Sequence, residues 1–292
     1  MHFLFHSLFK SQSMAIRAVV CALFGVLVAA GAFAGTIAFD PMRGLVEVPV
    51  VLNGNVKGVF GIDTGADHLY IDREFARANG LQISNVAPQR DAVGVEGTSK
   101  VTMISLRSLE VAGERLYNLK ASGIDIASLT GDQRYGNPDG LIGHQVLRRF
   151  YVTVDYPNHE LTLQTAEPRF LSGKRYSTVE FDKYKHLILV EVTFNDQTTV
   201  PMILDYCASF TTLSPQLAKK LELNTTEREV QRVARVQLGE AVTEDCAVVV
   251  ADLTQLRRSA PRAEFEGILG ATFLFRHKIT VDYKRDKVYV QE

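Results

Sequence analysis

Two aspartates are the first residues in this chain whose setting suggests chemistry. Asp63 opens the run Asp63-Thr64-Gly65-Ala66 directly after the apolar stretch Val59-Phe60-Gly61-Ile62, and Asp205 opens Asp205-Tyr206-Cys207-Ala208-Ser209 after Met202-Ile203-Leu204. Carboxylates brought close together cannot both ionise, so one pKa rises and the pair titrates as a unit. Such a pair is suited to general acid and base work. Gly65 allows a tight turn that carries an N–H toward the carboxylate, where a side chain would crowd it.

The two loops belong to a long internal repeat. At an offset of 142, Val48, Val50, Leu52 and Asn53 fall on Val190, Val192, Phe194 and Asn195, and Ile71, Asp72, Phe75, Ala76 and Leu81 fall on Leu213, Ser214, Leu217, Ala218 and Leu223. Each copy reads as strand, turn, strand, aspartate loop, strand and short helix, with Asp72 and Ser214 as N-caps, Pro215 at a first helical position and Gly80 ending the first helix. Farther on, Leu141-Ile142-Gly143 matches Ile268-Leu269-Gly270, and Val152–Tyr156 matches Ile279–Tyr283, now at an offset of 127. The first copy is therefore longer between aspartate and triplet, and its extra stretch contains Val93-Gly94-Val95-Glu96-Gly97, whose glycines suit a hairpin tip. Short strands with turn signals and few helices predict an all-β protein of two packed lobes whose aspartate loops meet where the lobes touch. The boundaries read as a first lobe over 35–167, a connection over 168–185 and a second lobe over 186–292.

These motifs and their spacing resemble the pepsin and retropepsin superfamily of aspartic proteases, in its bacterial retropepsin-like members, over nearly all of the chain after residue 34. The resemblance implies a bilobal acid-protease fold of two retropepsin-like β-barrels. It implies that Asp63 and Asp205 face each other and share one proton and one water. The ionised member would take a proton from water as it attacks a peptide carbonyl, and the protonated member would polarise that carbonyl. Thr64 would reach across to the other loop, and the triplets Leu141-Ile142-Gly143 and Ile268-Leu269-Gly270 would pack beneath the loops. The flap Val93–Gly97 would cover an extended peptide or protein substrate held largely by main-chain hydrogen bonds.

The second loop departs from this pattern. Cys207 adds a side chain where the turn wants none, and Tyr206 cannot place its hydroxyl where a threonine would, although Ala208 and Ser209 remain orthodox. Two function classes stay open: a peptide-bond hydrolase with Asp63 and Asp205 as its dyad, and a catalytically impaired pseudoprotease that binds peptides or proteins. A third arrangement, dimerisation through the intact first loop, conflicts with a second lobe that already occupies that surface, so a monomer is expected. His68 reads as a peripheral polar residue.

The remaining features bound the setting. Residues 1–34 hold no Asp or Glu and carry an apolar run, Ala18–Ala34, that ends in Ala32-Phe33-Ala34 before Gly35. This reads as a signal peptide cleaved near Ala34/Gly35, giving a periplasmic or secreted protein; a retained N-terminal membrane anchor is the alternative, and Met14 is an alternative start. Removing Lys10 and Arg17 with the leader takes the formal net charge from −1 to −3, which steers nothing toward nucleic acid. Arg257, Arg258 and Arg262 read as a solvated loop. Cys207 and Cys246 are read as two unrelated buried thiols, with pairing left open. The histidines lack metal-ligand spacing, and neither metal nor cofactor is implied.

Overall fold

The alternating residues around each aspartate form strands that bury one face, and in the computed structural model these strands close into two six-stranded barrels. The structure describes residues 35–40, 45–84, 91–94, 97–130, 137–172 and 176–291. The leader, its cleavage site up to Ala34 and the start at Met14 lie outside the described residues, as do Val95 and Glu96.

After β1 (Gly35–Ala38), the first barrel begins with β2 (Glu47–Leu52), β3 (Val56–Ile62) and β4 (Leu69–Asp72). A separate hairpin follows, β5 (Asp91–Val93) with β6 (Thr98–Lys100), and then β7 (Thr102–Val111), β8 (Glu114–Ile124) and β9 (Gly140–Ile142) complete the barrel. Its order is β2-β3-β9-β4-β8-β7, closed by Val50 opposite Val111. Two strands, β10 (Tyr151–Asp155) and β11 (Glu160–Gln164), then leave it. The second half runs β12 (Ser177–Glu180), β13 (Asp182–Tyr184), β14 (Leu187–Phe194), β15 (Thr198–Leu204), β16 (Thr211–Leu213), β17 (Gln231–Leu238), β18 (Ala241–Val250), β19 (Gly267–Leu269), β20 (Lys278–Asp282) and β21 (Lys287–Gln291). Six of these form the second barrel in the order β14-β15-β19-β16-β18-β17, closed by Phe194 opposite Val236. Strand for strand, the two barrels have the same order.

The repeat extends to details of its turns and caps. Asn53 and Asn195 both take a left-handed conformation, with φ of 53° and 50°, and each side chain accepts a backbone N–H from the closing strand, Arg107 at 2.7 Å and Arg235 at 3.1 Å. Asn tolerates this conformation better than most residues because its short amide can bond locally. Helix α1 (Arg73–Ala78) is capped by Asp72, which accepts from the N–H groups of Glu74 and Phe75. The equivalent helix of the second lobe, Pro215–Lys220, is capped by Ser214, which accepts from the Leu217 N–H.

The lobes are joined by a third sheet of order β1-β11-β10-β20-β21-β12. At its centre β10 and β20 run antiparallel with Thr153 opposite Thr280, and the two hydroxyl oxygens lie 2.8 Å apart. These residues are themselves equivalent in the repeat, so a local two-fold axis passes between them. A single hydrophobic core runs from Val48 and Phe60 through Val152 and Val281 to Val190 and Phe273.

One reading changes and one gains detail. The described residues of the 168–185 connection include a 3-10 turn at Arg169–Ser172, and within it β12 pairs with β21 while β13 pairs with β14. Arg257 and Arg258 lie on a helix, Thr254–Ser259, and Arg257 is tethered to the Phe265 carbonyl and to Glu266 at 3.0 and 3.1 Å. An arginine stem packs readily over an aromatic ring, here Phe265, which sequence periodicity over so short a segment does not reveal. Among the described residues no helix is long and apolar enough to cross a membrane.

Candidate active site

Each aspartate follows directly on a barrel strand, β3 or β15, and the glycine triplet fixes the loop from one side. The Asp63 N–H donates to Ile142 O at 3.0 Å and the Asp205 N–H to Leu269 O at 3.1 Å. On the far side of each turn His144 N–H donates to Ala66 O and Ala271 N–H to Ala208 O, both at 2.8 Å. Gly143 and Gly270 must be glycine, because an added β-carbon would lie 2.3 Å from the His68 or Phe210 carbonyl oxygen, a backbone atom that cannot give way. The triplets are thus clamps on the aspartate loops, and their apolar members Ile142 and Leu269 are fully buried.

The structure brings the two loops together. Thr64, fully buried, donates its hydroxyl to Leu204 O at 2.8 Å and accepts the Tyr206 N–H at 3.0 Å, so one side chain bonds the opposite loop twice. A β-carbon on Gly65 would sit 2.9 Å from Asp205 Oδ2 and 3.3 Å from Asp63 Oδ1, so a single point touches both carboxylates. The backbone N–H groups of Gly65 and Ala66 favour the ionised form of Asp63, and that of Gly65 favours ionised Asp205, while the Ala66 N–H donates to the Asp63 main-chain oxygen at 3.4 Å. Burial is the main influence on both groups. It holds Asp63 well above the usual carboxylate range, helped by the Asp205 charge and by Asp67. It pushes Asp205 up to about 6 against the Cys207 and Gly65 N–H groups.

In the second loop, Cys207 keeps the backbone function of a glycine, since its N–H donates to Asp205 Oδ1 at 2.8 Å. Its side chain crosses to the first lobe, with Sγ 3.3 Å from where a β-carbon on Gly61 would lie. It is half-buried rather than buried, and free, as is the buried Cys246. Burial and the two aspartates push the Cys207 thiol up, away from a reactive thiolate. Tyr206 turns its ring down, fully enclosed, edge-on to Tyr156 with ring centroids 6.2 Å apart. Its hydroxyl donates to Ile279 O of the shared sheet at 3.2 Å. The cross-loop bonding is therefore one-sided, supplied by Thr64 alone of the two positions.

Of the flap residues, Val93, Gly94 and Gly97 are described. They lie at the turn of the β5–β6 hairpin, where the Gly94 N–H donates to Gly97 O at 2.9 Å. Both glycines press on the helix Ala127–Thr130: β-carbons there would lie 2.7 Å from Leu129 O and 2.6 Å from Ser128 O. Ala92 of the hairpin joins an apolar cluster with Ala66, Tyr70, Ile124 and Leu141, against which Cys207 packs. Ala208 packs on a matching cluster of the second lobe that includes Leu189, Ile203, Phe265 and Ile268. Ser209 follows Ala208 at the end of the loop and is exposed.

Several neighbours were not singled out by sequence. Asp67 accepts the Tyr70 hydroxyl at 2.5 Å and lies 3.8 Å from His68, which is 41% exposed. Tyr156 and Tyr283, equivalent in the repeat, are both buried near the dyad, and the repeat alignment is the signal that could have marked them. His186 lies 3.0 Å from Gly65 O, with no signal beyond its place in a turn. No group of three or more His, Cys, Asp or Glu that could hold a metal ion occurs among the described residues.

Comparison with curated proteins finds no match. A family model described as aspartyl protease matches residues 48–146 and 190–273. Those stretches make up more than half of the chain, each holds one aspartate loop with its glycine triplet, and the chain belongs to the aspartyl protease family.

Proposed function

We propose that this chain is an aspartic endopeptidase that hydrolyses extended peptide segments with an Asp63/Asp205 dyad. The observation that carries the proposal is the approach of Gly65 to carboxylates from opposite lobes, so close that a β-carbon there would lie 2.9 Å from Asp205 Oδ2 and 3.3 Å from Asp63 Oδ1. A water held between them is deprotonated by the ionised carboxylate as its oxygen attacks the scissile carbonyl. The protonated carboxyl donates to the carbonyl oxygen, and the proton taken from water is delivered to the departing amine. The Cys207 N–H that donates to Asp205 is a backbone group fixed by the fold, so little reorganisation accompanies the change of charge there. The flap hairpin and the two apolar clusters beside the loops supply walls for an extended substrate. We take the working form to be an exported monomer, because the leader composition favours export and the second lobe fills the surface a second copy would need.

The test is cleavage of a denatured protein mixture by the mature chain across pH, compared with Asp63→Asn. Cleavage lost in the variant supports the dyad; equal residual cleavage by both proteins removes it. A second reading, peptide binding without hydrolysis, is favoured by one feature, the Cys207 side chain that sits in the flap-side cluster beside the dyad. It predicts saturable binding of an extended peptide with no turnover at any pH.

A further inference from the structure

One side chain outside both motifs touches the first aspartate loop. His186 lies in the turn between β13 and β14 of the second lobe, 121 residues from Gly65, and its Nε2 is 3.0 Å from the Gly65 carbonyl oxygen. A carbonyl only accepts, so Nε2 carries a proton and donates. The Gly65 carbonyl and the Ala66 N–H are the two ends of one rigid, planar peptide unit, and this unit lies against the dyad: a β-carbon on Gly65 would stand 3.3 Å from Asp63 Oδ1 and 2.9 Å from Asp205 Oδ2, and the Ala66 N–H end favours ionised Asp63. A hydrogen bond at the carbonyl end fixes the plane and polarises the N–H end.

We propose that His186 is a positioning residue for the dyad, holding the Gly65–Ala66 peptide unit against the two carboxylates and tying the first loop to the second lobe. The need for it follows from the second motif. With the Tyr206 hydroxyl committed to Ile279 O, cross-loop bonding comes from Thr64 alone, and His186 supplies a further tie between the lobes at the same loop. Its charged and titratable neighbours are Asp67 and His68 of the first loop, Lys185 on its own turn and His144 after the first triplet. Burial keeps the imidazole pKa low, opposed by Asp67 and by the Gly65 carbonyl. The neutral ring with hydrogen on Nε2 and the protonated ring both make the bond, so it persists across pH and is removed only by substitution.

The effect on turnover rests on the peptidase reading; the link to Asp63 does not. The experiment combines steady-state kinetics with NMR of the Ala66 amide and of the dyad carboxyl carbons through a pH titration. His186→Leu is expected to move the Ala66 amide proton upfield and raise the upper apparent pKa of the dyad by about half a pH unit. It should also lower kcat about tenfold with KM within about twofold. His186→Gln, whose amide N–H reaches toward the same carbonyl, should recover most of each effect, which a purely structural role would not predict. If His186→Leu does not fold, His186→Asn, too short to reach, takes its place. A folded variant with an unmoved Ala66 amide and an unmoved dyad titration overturns the proposal, as does a gain in kcat. Absence of Asp63-dependent cleavage in the wild type defeats the peptidase reading alone, and the NMR arm still decides the role of His186.

Discussion

Replacing Thr64 by valine should destabilise the chain far more than the loss of one surface hydroxyl. Valine keeps the shape and the branching of threonine, so no cavity opens and χ1 is restricted in the same way. What goes is the hydroxyl that donates to Leu204 O at 2.8 Å and accepts the Tyr206 N–H at 3.0 Å. Both partners are backbone groups on the opposite loop, and Leu204 and Tyr206 are fully buried. Each orphaned group costs about 1–3 kcal/mol, so the variant should lose roughly 2–6 kcal/mol. Thr64→Ser keeps the hydroxyl and gives up one methyl, about 1 kcal/mol. Urea titrations of the three proteins, followed by far-UV circular dichroism, read the difference as a shift in midpoint at constant slope. A Thr64→Val midpoint within about 0.5 kcal/mol of wild type, with Thr64→Ser no better, would refute the argument that this hydroxyl holds the loops together.

The raised carboxyl pKa values set a sign for the stability of the dyad. The native state binds more protons than the unfolded chain, so this contribution falls as pH rises from about 4 through about 6. For Asp205 the rise from 3.8 to about 6 corresponds to about 3 kcal/mol, so Asp205→Asn should melt higher than wild type at pH 8, with the advantage vanishing near pH 4. Equal melting temperatures at pH 8 would contradict it. Tyr206→Thr should cost about 3–5 kcal/mol by thermal melt without raising turnover, because the ring is enclosed and Ile279 O loses its donor. Gly65→Ala should retain the fold and lose about 100-fold in turnover, since the new methyl would stand 2.9 Å from Asp205 Oδ2; turnover within about threefold of wild type would count against the close approach of this loop to the two carboxylates.

Much of this fold was legible in the sequence because its signals are local. Strand alternation around Val48 and Val190, the caps at Asp72 and Ser214 and the triplet glycines each state their own requirement, and the repeat states it twice. The repeat pointed to a meeting of the two aspartate loops, and the family resemblance implied that Asp63 and Asp205 face each other there. Segments whose structure depends on distant partners were less legible. Ser177-Thr178-Val179-Glu180 forms an edge strand half-exposed along its length, so it lacks the apolar run that marks a barrel strand and reads as a connection. Tyr206 was seen to break the motif, but the direction of its ring depends on space beneath the loop bounded by Tyr156. His186 has neither period nor motif; only the packing of one lobe on the other gives it a partner.

The central pairing of the shared sheet bears on what each half of this chain could do alone. β10 meets β20 with equivalent residues opposed, Thr153 to Thr280 and Val152 to Val281. A chain ending after β11 would present β10 as an uncovered edge, with its unpaired N–H and C=O groups open to another strand. The edge strand that fits that template best is a second copy of itself, because the native partner is a diverged image of the same sequence. The first half expressed alone should therefore associate symmetrically through Thr153, in an isologous contact that closes on itself instead of propagating. In the full-length chain the second half occupies that edge, and its covalent linkage makes the pairing independent of concentration.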